Sequence, residues 1–309
     1  MKKLTVTTII LTALAIVLRV LSQIFIINQN GVYCDAGIFE KLLRFSLPLL
    51  LGATAILSLV VYFKGKKKDM AEGVARGGRL YPLCILALGI LVLVDSGIRL
   101  GEWVKTILPY VGAYPVKMWI KQAPPDIVGI IGVFAGIYFG VLFIQLITDG
   151  NSALSKLLGL FAPAYICARA IVLFFESFKY AAMSGIKLEM LSLCAAALLT
   201  VMIAGYRAGA AVALRRVKAV CLLSAVFIGA YALPDMVFNV IRNGFDLQTV
   251  TSALVLELCS VLAIVITFGL SKKEPEPEPE PENEFSEAEF QRELDLYIND
   301  IPESEEEDK

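Results

Sequence analysis

Eight stretches of about 20 residues are almost wholly apolar, each long enough to cross a hydrocarbon core of roughly 30 Å as a helix. They fall at 4–27, 46–63, 80–99, 127–147, 157–177, 188–206, 217–241 and 250–270. Lipid offers no partner to a backbone amide, so a chain inside it must be helical or part of a closed barrel, and these runs are far too long for barrel strands. The expected fold is therefore all-α, a polytopic membrane bundle of eight transmembrane helices whose first partner is the bilayer itself. Composition agrees, with 57% hydrophobic and 18% charged residues, where a soluble domain carries about 45–50% and 25%. A soluble enzyme is excluded.

The formal charge of −1 conceals two opposed parts. Residues 1–273 hold 26 basic and 13 acidic side chains, whereas 274–309 hold 16 acidic and 2 basic. The chain thus divides into an eight-span domain (1–273), a Glu/Pro linker (274–284) and an acidic tail (285–309) carrying an amphipathic helix at 286–301. Orientation follows from the loops. The N-terminus and the segments 64–79, 149–156, 207–218 and 272–273 carry 15 Lys and Arg, the opposite-side segments 9. The densest cluster, Lys64, Lys66, Lys67, Lys68, Arg76 and Arg79, sits in one short loop, where the positive-inside signal counts most. Both termini are expected in the cytoplasm and the protein in the plasma membrane. Met1-Lys2-Lys3 followed by an apolar run resembles a signal peptide with Ala13-Leu14-Ala15 as its cleavage site. The run continues to Ile27, however, beyond a usual signal segment, so it is kept as the first span.

Histidine is absent, which removes His-assisted nucleophiles and histidine-bearing zinc sites. Of the six cysteines, Cys84, Cys167, Cys194, Cys221 and Cys259 lie in apolar runs and Cys34 in a polar stretch, with no C-x-x-C pair to suggest a metal cluster or disulfide framework. No P-loop, G-x-G-x-x-G, G-x-S-x-G or H-E-x-x-H occurs. No catalytic residue, metal, cofactor or nucleic-acid partner is expected.

Three packing signals stand out. Gly132, Gly136 and Gly140, with Gly129 one turn earlier, lay a smooth stripe on the fourth span that lets a neighbouring backbone approach. The long connection 97–126 holds Trp103, Tyr110, Tyr114 and Trp119, aromatic types that sit at headgroup level, and reads as an interfacial helix. The turns Gln29-Asn30-Gly31, Met183-Ser184-Gly185 and Arg242-Asn243-Gly244 look alike. They suggest four tandem hairpins of parallel topology, although Asn-Gly and Ser-Gly are good turn formers in any context.

The most telling residues are the charges flanked by apolar sequence: Arg19, Asp95, Arg169, Glu176, Asp235 and Glu257, with Arg99 one turn beyond Asp95. At 1.5 Å per residue they gather between the bilayer centre and the outer face, with Arg169 alone near mid-depth. Each costs about 2.5–3.5 kcal/mol on insertion scales, so pairing within the bundle is expected. Two readings fit: an ion-pair network that fixes helix register, and a cavity that binds a ligand or ion. Asp235 follows Pro234, which cannot donate a backbone hydrogen bond and leaves a carbonyl on the seventh span free.

The tail has its own grammar. Residues 274–282 alternate Glu and Pro, a stiff solvated spacer. Ser286 and Glu289 form a capping box with Phe285 and Phe290 at the staple positions, and Pro302 ends the segment. Phe290, Leu294, Tyr297 and Ile301 form one apolar stripe, suited to docking on a cytoplasmic protein partner. The Arg19 region followed by Asn30-Gly31-Val32-Tyr33-x-Asp35-x-Gly37 resembles uncharacterised bacterial multi-spanning integral membrane proteins, which pair a charged first span with a short Gly/aromatic/Asp turn. The resemblance covers about forty residues and implies no activity. Two functional classes remain: a protein that handles a small solute or lipid at the charged site, and a scaffold or sensor acting through its tail. On topology, a reporter fused after Lys68 should read cytoplasm and one after Lys117 the outside; the same side for both would overturn the eight-span reading.

Overall fold

The computed structural model describes residues 2–27, 37–64, 80–110, 126–148, 153–177, 185–209 and 212–271. The Asn30-Gly31 turn, most of the six-cation loop, Trp119, the linker and the tail helix with Phe290, Leu294, Tyr297 and Ile301 lie outside them. Among the described residues there are nine α-helices and no strand: α1 (Lys2–Phe25), α2 (Ile38–Lys64), α3 (Leu80–Ile107), α4 (Ile127–Thr148), α5 (Ala153–Leu158), α6 (Phe161–Ser177), α7 (Ile186–Arg207), α8 (Leu214–Asn243) and α9 (Leu247–Ser271). Among the described residues eight spans are long and apolar enough to cross a membrane, α5 and α6 together forming the fifth. The protein is a multi-pass membrane helix bundle.

Several helices outrun their apolar stretch. α3 continues two turns beyond Arg99, where Lys105 pairs with Glu102 across 2.8 Å of exposed helix surface. Polar residues extend a helix once its apolar length has left the lipid. The fifth span breaks at Gly159-Leu160 and restarts before Pro163, which falls in the first turn of α6, where a backbone donor has no acceptor to lose.

α1 shows what the apolar run alone conceals. Thr5, Thr8, Thr12, Ala15, Arg19 and Ser22 are buried at a spacing of three and four, with Gln23 beside them, which places a polar stripe inward, while Val6, Ile10, Leu14 and Val17 face outward. Three of these hydroxyls are satisfied locally. Thr8 donates to the Leu4 carbonyl at 2.9 Å, Thr12 to Thr8 at 2.8 Å and Ser22 to Leu18 at 2.8 Å. Thr5 reaches instead to the Thr267 carbonyl of α9, at 3.2 Å. Arg19 alone on this stripe carries a charge.

α8 is the hub, packed against α1, α2, α7 and α9; α9 in turn packs on α3. In α8, 61% of the apolar stretch is buried, against 22% in α2, so α2 is the more lipid-facing helix. Small residues make this possible. Ser192 donates to the Phe227 carbonyl at 2.9 Å, Ser224 to Ala195 at 2.9 Å and Ser260 to Ala225 at 3.0 Å, a ladder of hydroxyls that ties α7, α8 and α9 together. Thr5 beside Thr267 at one end, and Gln23 beside Arg242 at the other, set the two ends of the bundle. The end carrying residues 244–246 is called the turn end below.

The two arms of each hairpin (α1/α2, α3/α4, α6/α7, α8/α9) pack on each other. The closest fit is α3 on α4. A Cβ at Gly136 would lie 2.4 Å from Leu93 Cγ, and one at Gly132 would lie 2.0 Å from Ser96 Oγ and 2.9 Å from the Tyr165 ring. One at Gly140 would meet nothing within 4 Å. Spacing of four on a 3.6-residue helix drifts by about 40° per step, so the stripe turns off the α3 face before its last glycine. Gly132→Ala should therefore lower thermal stability by about 1–3 kcal/mol through overpacking, whereas Gly140→Ala should leave the melting curve unchanged; equal effects would contradict this packing.

Candidate functional site

Two carboxylates, Asp95 buried and Asp235 partly so, each with an arginine partner, organise the turn end. Arg19 of α1 is 1% exposed and grips Asp235 of α8 with both faces of its fork: Nε donates to Oδ2 at 2.7 Å and Nη2 to Oδ1 at 2.5 Å. Gln23, one turn along α1, adds a third donor to Oδ1 at 2.7 Å. A bidentate pair of this kind is the strong form of the interaction. Gly185, in the approach to α7, presses on it, since a Cβ there would stand 3.2 Å from Asp235 Oδ1. α8 runs unbroken through Pro234.

The second carboxylate, Asp95 of α3, is fully buried. Arg99 Nε donates to its Oδ2 at 2.9 Å, the Tyr165 hydroxyl to the same oxygen at 2.6 Å and the Ser252 hydroxyl to Oδ1 at 2.6 Å. Thr251 stands 3.5 Å from Oδ1, but its single proton points to the Leu247 carbonyl at 2.9 Å. Arg99 Nη2 then donates to Ser252 Oγ at 3.2 Å, and Arg169 Nη1 to the Ser252 carbonyl at 3.3 Å. Two guanidiniums thus converge on one residue of α9. Arg169 also lies over the Tyr165 ring, 5.8 Å from its centroid.

Between the two nodes lies a cavity of about 760 Å³, within the range of small-molecule sites. Its charged wall comprises Arg99, Arg169, Glu189, Asp235, Arg242 and Asp246. Tyr231 meets Glu189 there. At the rim, Arg242 donates to the Gln23 carbonyl at 3.0 Å and the Ile27 carbonyl at 3.4 Å, capping the end of α1. Asn239 and Asn243 hydrogen-bond to each other. Asp246 caps α9: the Thr249 hydroxyl and then the Thr249 amide hold its carboxyl below the usual carboxylate range. A depressed carboxylate stabilises the fold above its unfolded value, so this cap is complete at neutral pH and is lost as acid titrates it below that range.

Of the charges read from sequence, the structure joins Arg19 to Asp235 and gathers Asp95, Arg99 and Arg169 at Ser252. Asp235, Arg99 and Arg169 line the cavity; Asp95 stands behind its wall. Glu257 is in neither group, and its Oε2 is buried without a hydrogen-bond partner. The Glu176 side chain lies outside the described residues. Reading the sequence missed Gln23, Tyr165, Glu189, Tyr231, Arg242 and Ser252. Tyr165 was legible in principle, because it precedes Arg169 by four residues and so shares its helix face. Among the described residues no group of three His, Cys, Asp or Glu could hold a metal ion.

No protein-family model matches the chain, and comparison with curated proteins and with solved structures returns no significant match.

Cutting one side of the α1–α8 pair strands a charge in a buried setting, at about 3–5 kcal/mol, whereas replacing both sides with apolar residues removes that penalty. Asp235→Ala should therefore lower the yield of monodisperse protein and its melting temperature, and Arg19→Met with Asp235→Leu should recover most of the loss. A double variant no better than the single one would show that the pair does not set the fold.

Proposed function

We propose that this protein binds a small charged solute within the membrane and passes it across, taking it up at the turn end, which the loop charges assign to the outer side of the plasma membrane. One observation carries the reading: a cavity of about 760 Å³ is walled by six charged side chains contributed from α3, α6, α7, α8 and the α8–α9 turn. Charges that only fixed helix register would be sealed against one another, because an open polar space at such depth adds desolvation cost and no packing.

A second feature supports passage rather than simple binding. Toward the opposite end, the hydroxyls of Tyr81 and Tyr138 and the Nε and Nη2 of Arg207 are buried without hydrogen-bond partners. Buried polar groups are normally satisfied, so these four atoms would gain partners if water entered from that end. The acidic tail supplies the other reading, a scaffold that recruits a cytoplasmic partner through Phe290, Leu294, Tyr297 and Ile301. It rests on the capping box and apolar stripe alone.

The test is accessibility in intact cells. Ala253, beside Ser252 in the cavity wall, is replaced by cysteine in a background whose native cysteines are alanine. A membrane-impermeant thiol reagent applied from outside should label it. Labelling only after detergent solubilisation would overturn the reading.

A further inference from the structure

The cavity holds charges of both signs, but the two signs are not equally occupied. Asp235 and Asp95 each accept three short hydrogen bonds, from Arg19 twice and Gln23, and from Arg99, Tyr165 and Ser252. Their lone pairs are largely taken from the protein side; of the other two carboxylates in the wall, Glu189 is hydrogen-bonded to Tyr231 and Asp246 to Thr249. The arginines are in the opposite condition. A guanidinium carries five N–H donors. Arg99 uses one on Asp95 and one on Ser252 Oγ, and Arg169 uses one on the Ser252 carbonyl at the long distance of 3.3 Å.

The ion pairs among the described residues join Arg19 to Asp235, Arg99 to Asp95 and Lys105 to Glu102. Arg169 is in none of them, although it is only 6% exposed and lines the cavity. Its direct contacts are a backbone carbonyl and an aromatic face, while Asp95 and Glu189 act on it only from beyond ion-pair distance; Asp95, already bonded to Arg99, is thus shared between two guanidiniums, and most of the Arg169 N–H groups stay unspent. Arg99 and Arg169 meet at one residue, so their remaining N–H groups converge on the same stretch of the cavity.

We infer that Arg169 and Arg99 hold an oxyanion, a carboxylate or phosphate group, of the solute that occupies this cavity. The inference rests on the cavity being open to water, as proposed above, and adds the chemical class of what it takes. The planar fork of arginine matches the two oxygens of a carboxylate or phosphate, which gives direction as well as charge. Ser252 acts as a positioning residue: its hydroxyl spans Arg99 and Asp95 while its carbonyl holds Arg169.

The experiment uses the full chain carrying Ala253→Cys, with the native cysteines changed to alanine, in phosphatidylcholine nanodiscs. The rates of a negatively and a positively charged methanethiosulfonate are each normalised to a small thiol in solution. The normalised ratio of anionic to cationic reagent should rise by about tenfold, because the stretch of wall next to Ala253 carries two guanidiniums that draw anions to it. Inorganic phosphate or acetate at constant ionic strength should slow labelling. Arg169→Gln should return the ratio toward one; should that variant not fold, protection by phosphate in the Arg169 protein decides. Protection by phosphate or acetate in phosphatidylcholine discs assigns the oxyanion to a free solute, and protection seen only with phosphatidylglycerol assigns it to a lipid headgroup. Labelling by both reagents at a ratio of one, with no protection by any of these anions, overturns the inference and leaves the open cavity standing. No labelling by either reagent removes the open cavity, and the oxyanion site with it.

Discussion

The bidentate contact between Arg19 and Asp235 is the interaction on which the rest of the bundle depends. α1 presents an inward stripe of hydroxyls that mostly satisfy themselves against their own backbone, so they neither repel nor select a neighbour. Arg19 is different, because its charge has to be answered by another helix. Asp235 provides that answer from α8, the helix that touches α1, α2, α7 and α9. One pair thereby sets the rotation and height of α1 against the hub. Gly229 repeats the choice in apolar terms, since a Cβ there would stand 2.7 Å from Thr12 Cγ2. Polar specification and close approach agree on one register, which is what a unique fold requires.

The second node does something else with the same chemistry. Asp95 is filled by donors from α3, α6 and α9 and locks those helices together. Arg169, from the same turn region of α6, is held at the edge of that lock and not within it. Asp235 and Arg99 thus serve both a structural pair and the cavity wall, whereas Arg169 lines the cavity without belonging to a close ion pair. In this account the cost of burying Arg169 is offset when an oxyanion is bound, so stability and ligand occupancy are linked.

The membrane bundle was legible because each apolar stretch is set by bilayer thickness and leaves little choice of structure. The Gly132–Gly136 contact was legible as well, since small residues at helical spacing have one common use. What the apolar run could not reveal is which way each helix faces. In α1 the inward residues are Thr5, Thr8, Thr12, Arg19 and Ser22, and a reading that counts only hydrophobicity passes over them. Glu189 escaped notice because it stands at the start of α7, where a carboxylate reads as interfacial. Arg242 stands in an Arg-Asn-Gly turn by sequence, yet it reaches back over the end of α1. Depth in the membrane follows from counting residues along one helix; partnership depends on rotation of several helices at once, and sequence spacing constrains that only within a helix.

Solid-state NMR of the full chain in lipid bilayers, with labelled arginine and with magnetisation selected from water or from acyl chains, tests this account most directly. The Arg169 guanidinium nitrogens should receive magnetisation from water and not from acyl methylenes, while the Arg19 nitrogens correlate with the Asp235 carboxylate and remain dark to both sources. Acyl-chain transfer to Arg169, or an Arg19 signal that sees water and no carboxylate, would contradict both the cavity and the pair that positions it.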